Sequence, residues 1–219
     1  FKPYSATPMR YFEDLSEFAR RELEAVESTD VDSGELGDLD SFVLTTWPMP
    51  PDEDGRFANQ ADAVEDLRAF VEEGGNLVLT DEALKLLEPL GMIANGSVTK
   101  TVTNAGHIDI TNFGDAYAEG LHVTASQTYY EVPLGYTATN NAPHWSVPRA
   151  PWEAAGGVTV GTVNGRTGLG RTALGQGQIG IIGALLPPAT EKNDHYFGLA
   201  DYGVTVTGGQ ILNNMLAAA

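Results

Sequence analysis

The chain has 219 residues, 42% of them hydrophobic, no cysteine and a formal net charge of −18. That length suits one large domain or two small ones and is enough to bury a sizeable core. The charge repels nucleic acid and anionic membranes, and the lack of cysteine excludes a disulfide scaffold, a thiolate nucleophile and a thiolate-bound metal.

No apolar run reaches the roughly 20 residues that a membrane-crossing helix needs, so no membrane insertion is expected. Two sources of the acidity fit the abundance of Ala, Gly, Thr and Val: a salt-tolerant secreted protein, or an ordinary acidic secreted one. Both place the chain outside the cell. It begins at Phe1 with no signal peptide, which reads as a processed mature chain or a piece of something longer, with artificial trimming as the plainer alternative.

Residues 1–9, "FKPYSATPM", are extended in character. Thr7-Pro8 offers a cap followed by proline at the first helical position, and Phe12, Leu15, Phe18, Ala19, Leu23 and Val26 then recur at helical spacing. A polar loop, "STDVDSGELGDLD", leads to "SFVLTTW" (41–47), a continuous apolar run that predicts a buried strand. "PMPPDEDGRF" has too many prolines for regular structure. Ala61, Val64, Leu67, Phe70 and Val71 predict an amphipathic helix closed by Gly74-Gly75, then "NLVLT" (76–80) a second buried strand, and "DEALKLLEPLG" a third helix capped by Thr80 or Asp81. This alternation implies a parallel sheet layered by helices.

From residue 96 the runs become short and rich in Thr and Val: "SVTKTVT", "HIDIT", "LHVTAS" and "TYYEV" predict antiparallel strands in a β-rich insertion at about 96–170 of a single domain, 1–219. Residues 135–152 read as a long loop. Asn164-Gly165 signals a hairpin, as does "GQGQIG" (175–180), which precedes a strand and so is a turn despite matching a dinucleotide fingerprint as a string. "GQIGIIGALLPP" predicts a further buried strand (179–186) and "GGQILNNMLAAA" a closing helix.

The succession "FVLTTW", "ADAVEDLRAFVEEGG", "NLVLT", "DEALKLL", with the tail "GQGQIGIIGALLPP…GGQILNN", resembles the class I glutamine-amidotransferase-like superfamily, in the form appended to secreted bacterial hydrolases. The resemblance implies an α/β fold, a mostly parallel, flavodoxin-like sheet flanked by helices, with the antiparallel β region inserted. It departs from the pattern at its start, where a helix stands in place of the opening strand. Residues 1–9 carry two prolines and few apolar side chains, so they are expected to pack against a partner chain or a preceding domain rather than form a central strand.

In catalytic members of that superfamily the nucleophilic cysteine stands on the elbow after the strand matched here by "NLVLT". This chain has Thr80, Asp81 and Glu82 there, and "LLPPATE" where the family's histidine belongs. A threonine hydroxyl needs a base and a carboxylate is a weak acyl acceptor. The resemblance therefore implies a pseudoenzyme: a non-catalytic accessory domain that contacts other domains or chains of its parent protein, with no cofactor. One alternative is a hydrolase using Asp81, Glu82 and His195, the last beside Asp194. Another is a carbohydrate-binding module using Tyr129, Tyr130, Tyr136, His144, Trp145 and Trp152, whose flat faces and polar tips suit sugar rings; the same side chains equally serve to plug the β region onto the core. Asp30, Asp32, Asp38 and Asp40 have spaced carboxylates of the kind Ca²⁺ favours, yet miss the EF-hand template and read first as a solvated acidic loop. The four histidines, His107, His122, His144 and His195, are scattered, His122 and His144 show no metal-ligand spacing, and Asn95-Gly96-Ser97 is a glycosylation sequon by string.

Overall fold

The computed structural model describes residues 22, 24, 26–34, 36–52, 54–104, 107–121, 130–131, 141–184 and 206–218. In chain order these form α1 (Ser28–Val31), β1 (Ser41–Leu44), α2 (Gln60–Glu72), β2 (Asn76–Thr80), a 3-10 helix (Asp81–Leu87), β3 (Thr99–Asn104), β4 (His107–Ile110), a 3-10 turn (Ala116–Ala118), β5 (Tyr130–Glu131), β6 (Asn141–Ser146), α3 (Arg149–Ala154), β7 (Val158–Val163), β8 (Arg166–Leu174), β9 (Gly177–Ile182) and α4 (Val206–Ala217). The extended segment 1–9 and the positions of the first amphipathic run from Phe12 to Leu23 lie outside the described residues, and Val26, the last position of that run, is irregular chain before α1.

Seven strands make one sheet in the order β1-β2-β9-β8-β7-β4-β5, and β3 and β6 pair separately. β1, β2 and β9 are parallel neighbours, as the apolar runs predicted. The remaining four pairings of the large sheet are antiparallel. This overturns the expectation of a mostly parallel, helix-flanked, flavodoxin-like sheet: the fold is a mixed sheet in which antiparallel pairs predominate. The cause is local. β7, β8 and β9 follow one another through two tight turns, and a turn that short can join only antiparallel strands. One is the predicted hairpin at Asn164-Gly165, both residues left-handed (φ 51° and 73°); the other lies at Gly175-Gln176. β4, β5, β7 and β8 thus continue the main sheet, while β3 and β6 pair beside it.

Two apolar clusters sandwich the parallel strands. Leu77, Leu79, Ile179 and Ile181 pack with Leu67, Phe70 and Val71 of α2 on one face. Val78 and Ile182 pack with Ile211, Leu212 and Met215 of α4 and with Tyr117 on the other. β2 is buried along its whole length, and each of its leucines contributes about 1.5–3 kcal/mol by leaving water. β1 is shorter than the apolar run 41–47 and, among the described residues, stands at the margin of the sheet, with Ser41, Phe42 and Val43 only half-buried.

The glycine pair after α2 has two separate jobs. Gly74 (φ 121°) takes the left-handed position, and the amides of Gly74 and Gly75 donate to the carbonyls of Val71 and Phe70, closing the helix in a Schellman motif. Gly75 has no room for a Cβ, because the Phe70 ring lies against it. Asn59 caps the other end, its side chain accepting from the Ala61 amide at 3.2 Å.

Candidate functional site

The carboxyl ends of parallel strands are where α/β sheets usually place their ligands. Here β2 leaves Thr80 extended (φ −113°, ψ 148°) and turns at Asp81, whose φ is 53°. A non-glycine residue in the left-handed region costs on the order of 1–2 kcal/mol, so the surrounding structure must hold it there. The predicted α-helix at 81–90 is instead 3-10 over Asp81–Leu87, and, of the two expected caps, the Thr80 side chain makes no capping bond. A left-handed first residue directs the chain into the tighter winding, and Pro89 prevents a longer α-helix from forming.

Asp81 is only 8% exposed, and the Thr80 hydroxyl beside it is buried without a hydrogen-bond partner. Neither Asp81 nor His144 is unpartnered. Glu82, by contrast, turns outward and pairs with Lys85 at 2.5 Å on the surface.

β6 closes this corner. The stretch 141–146, expected to belong to a long loop, is a strand antiparallel to β3, placing Thr101 opposite His144 and Lys100 opposite Trp145. Its end is laid across the main sheet: the Trp145 amide donates to the Gly183 carbonyl at 2.7 Å, and Val147 exchanges two 3.0 Å bonds with Thr167 of β8. Gly183 is required, because a Cβ there would collide with the Trp145 carbonyl. β6 also packs on the 3-10 helix. The ammonium groups of Lys85 and Lys100 lie over the Trp145 ring, 4.8 and 5.4 Å from its centroid. His144, Trp145 and Ser146 are all buried.

A residue that sequence reasoning passed over locks β6 in place. Arg166, the first residue of β8, donates from Nε to Ser146 Oγ at 3.0 Å and from Nη2 to the carbonyls of Ser97 and Ser146 at 2.7 and 3.2 Å. Partial burial holds its guanidinium below the usual arginine range. The one hint in the sequence was scarcity: a lone arginine following a hairpin turn in a chain with twelve basic residues against thirty acidic ones.

The other sequence-derived candidates scatter. Trp152 sits on α3, 1% exposed, with Gly157 and Gly170 packed against its indole. Tyr130 contributes backbone to β5, opposite Ile108. Tyr129, Tyr136 and His195 lie outside the described residues. Asp30 Oδ2 accepts from the Glu27 amide and Asp32 Oδ2 from the Asn59 amide, while Asp38 and Asp40 stand in the turn before β1. No group of three metal-ligating side chains forms among the described residues. Likewise, no described helix is long and apolar enough to cross a membrane.

Fold and site together define a mixed α/β protein with a sharp, left-handed strand-to-helix corner at the end of β2, the middle of its three parallel strands. The chain matches no family model and no curated protein. Among solved structures it is similar to the cytoplasmic protein STM3548 from Salmonella typhimurium, with a TM-score of 0.54 and 11% identity over 92% of this chain and 83% of that one. It is similar also to the cytoplasmic protein STM1381 from Salmonella typhimurium LT2, with a TM-score of 0.56 and 11% identity over 95% and 86%. At that identity the likeness carries the fold alone.

Proposed function

We propose that the chain is a non-catalytic accessory domain, amidotransferase-like in its elbow, that acts by contact with other domains or chains of its parent protein. The observation that supports this is the closure of the elbow. A nucleophile must reach within about 3–3.5 Å of the reacting atom, whereas Asp81 is buried and β6 is bonded across the strand ends beside it. A carboxylate in a thiolate's place adds to the same reading, since it is a poor acyl acceptor.

A second reading rests on one feature. Left-handed φ at a non-glycine residue gathers at active sites, and Asp81 has it. A hydrolase would then use Asp81 as nucleophile, with His144 of β6 taking the base role that the sequence assigned to His195. The test is an assay of the purified chain on glutamine and on activated esters beside Asp81→Asn. The accessory reading expects no ammonia and no ester turnover above the variant. Turnover that Asp81→Asn abolishes, with unfolding unchanged, would overturn it in favour of the hydrolase. The cytoplasmic naming of the two structural neighbours leans against the extracellular setting expected from the sequence, and the contact role requires neither compartment.

A further inference from the structure

Asparagine followed by glycine occurs twice in the chain, at Asn95-Gly96 and at Asn164-Gly165. The pair has a chemistry of its own. With no side chain on the second residue, the peptide between the two rotates easily and brings its nitrogen onto the asparagine Cγ. A bond forms from that nitrogen to Cγ as the nitrogen gives up its proton, the Cγ–Nδ2 bond breaks, and ammonia leaves a five-membered succinimide. Water then opens the ring at Cγ to give aspartate, or at the main-chain carbonyl to give isoaspartate, in which the chain runs on through Cβ and Cγ. Only water is consumed. The step needs a peptide free to rotate and an asparagine side chain free to fold back.

The two pairs differ in what holds them. Asn164 and Gly165 are the turn residues of the β7–β8 hairpin, both left-handed, and their neighbours Val163 and Arg166 are paired in the ladder. Arg166 is tied again by its side chain, to Ser97 and Ser146. Rotating that peptide means opening the end of the hairpin. Asn95 and Gly96 instead stand at the centre of a turn closed by one bond, from the Ser97 amide to the Ala94 carbonyl at 3.2 Å. Both residues are exposed, and no hydrogen bond holds the Asn95 side chain. Gly96 (φ 74°) has no atom within 4 Å of where a Cβ would stand. The chain just beyond is tied on both sides: the Ser97 carbonyl accepts from Arg166 Nη2 at 2.7 Å, and the Val98 amide donates to Glu88 Oε1 at 2.9 Å.

We propose that Asn95-Gly96 is a self-modifying site, converting through the succinimide to isoaspartate and aspartate in the folded protein, while the hairpin protects Asn164-Gly165. The isoaspartyl form adds one carbon to the main chain shortly before the Ser97 carbonyl. That displaces Ser97 from Arg166 and loosens the tie that holds β6 beside the elbow. The inference goes beyond the contact role proposed above and does not rest on it.

The test keeps the full chain in warm buffer at neutral and at mildly alkaline pH, folded and in urea. Trypsin then releases the two pairs on separate peptides, 86–100 and 150–166, and chromatography with mass spectrometry resolves their aspartyl and isoaspartyl products. In the folded chain peptide 86–100 should convert at least about tenfold faster than 150–166, the factor that one or two ladder hydrogen bonds put on a rate. The rate should rise with pH, because the attacking nitrogen must lose its proton, and in urea the two peptides should converge. Asn95→Gln, which has to close a larger ring, should stop conversion of the first peptide. Equal rates for the two peptides in the folded chain, or conversion at 95 in urea alone, would overturn the proposal. Amide exchange reads the consequence: it should quicken in 141–147 of the aged protein and not in equally aged Asn95→Gln. Unchanged exchange in protein converted at 95 would overturn the link to β6.

Discussion

The two ends of the parallel strands are built from the same three elements and differ in what lies over them. At the carboxyl end the chain turns at a left-handed aspartate and β6 is bonded across the ends of β9 and β8, with two lysines over the Trp145 ring. At the amino end the loop before β1 and two helix termini leave a groove edged with carboxylates. The end where α/β proteins usually hold ligands is occupied by the protein itself, whereas at the other end the described residues leave a groove. An elbow is therefore not evidence of chemistry on its own. Its geometry can survive as a corner of the fold, and access decides whether it can react.

Closure depends most on Gly183, and Gly183→Ala should break the comparison outright. The new methyl meets the Trp145 carbonyl, backbone against backbone, so β6 must lift from the sheet. The expected cost is about 3 kcal/mol or more in urea unfolding, because neither partner can rotate away. A loss below a tenth of that would mean that β6 is not seated as described.

Arg166→Ala should come next, at about 1–2 kcal/mol, since it leaves three oxygens of β6 and the 97 turn without their donor. Amide exchange should show protection falling in 141–147 and not in β1. Arg166→Lys should recover only part of the loss, as an ammonium cannot span the three acceptors at once.

The strain at the elbow is sharpened by comparing two variants that both lack the carboxylate. Asp81→Gly should be more stable than Asp81→Ala by about 1 kcal/mol, because only alanine retains the left-handed penalty. Equal stability would place residue 81 outside that conformation. Asp81→Asn should differ from the parent by less than either, since asparagine tolerates the same backbone region.

The smallest effect belongs to the lysines around Trp145. A double-mutant cycle of Lys85→Met with Trp145→Leu should return a coupling of about 0.5 kcal/mol, the size of a half-exposed cation–π contact. A coupling of zero would reduce Lys85 to the partner of Glu82 alone.

Much of the parallel half was legible in the residues. The strand at 76–80 is five residues buried on both faces, so its apolar run had no polar alternation to mislead. The helix before it announced its own end through two glycines, one for the backbone and one for the Phe70 ring. Asn164-Gly165 fixed its hairpin because so few residue pairs tolerate two left-handed positions in succession. The site was legible only in part. Position 81 was marked as the elbow but read as a cap, and His144 and Trp145 were assigned to a loop, although they lie on the strand that covers it.

The sequence by itself determined which segments become strands and helices wherever local signals agree: the period of the apolar residues, the cap, the glycine pair and the tight turns. These act over a few neighbouring residues, so they can be read along the chain. Only the tertiary structure decided that antiparallel pairs outnumber parallel ones, that β6 crosses the strand ends, and that Arg166 ties it down across twenty residues. Strand partners and closed corners are settled by contacts between residues far apart in sequence, where burial and hydrogen bonding of the whole sheet outweigh the preference of any short stretch.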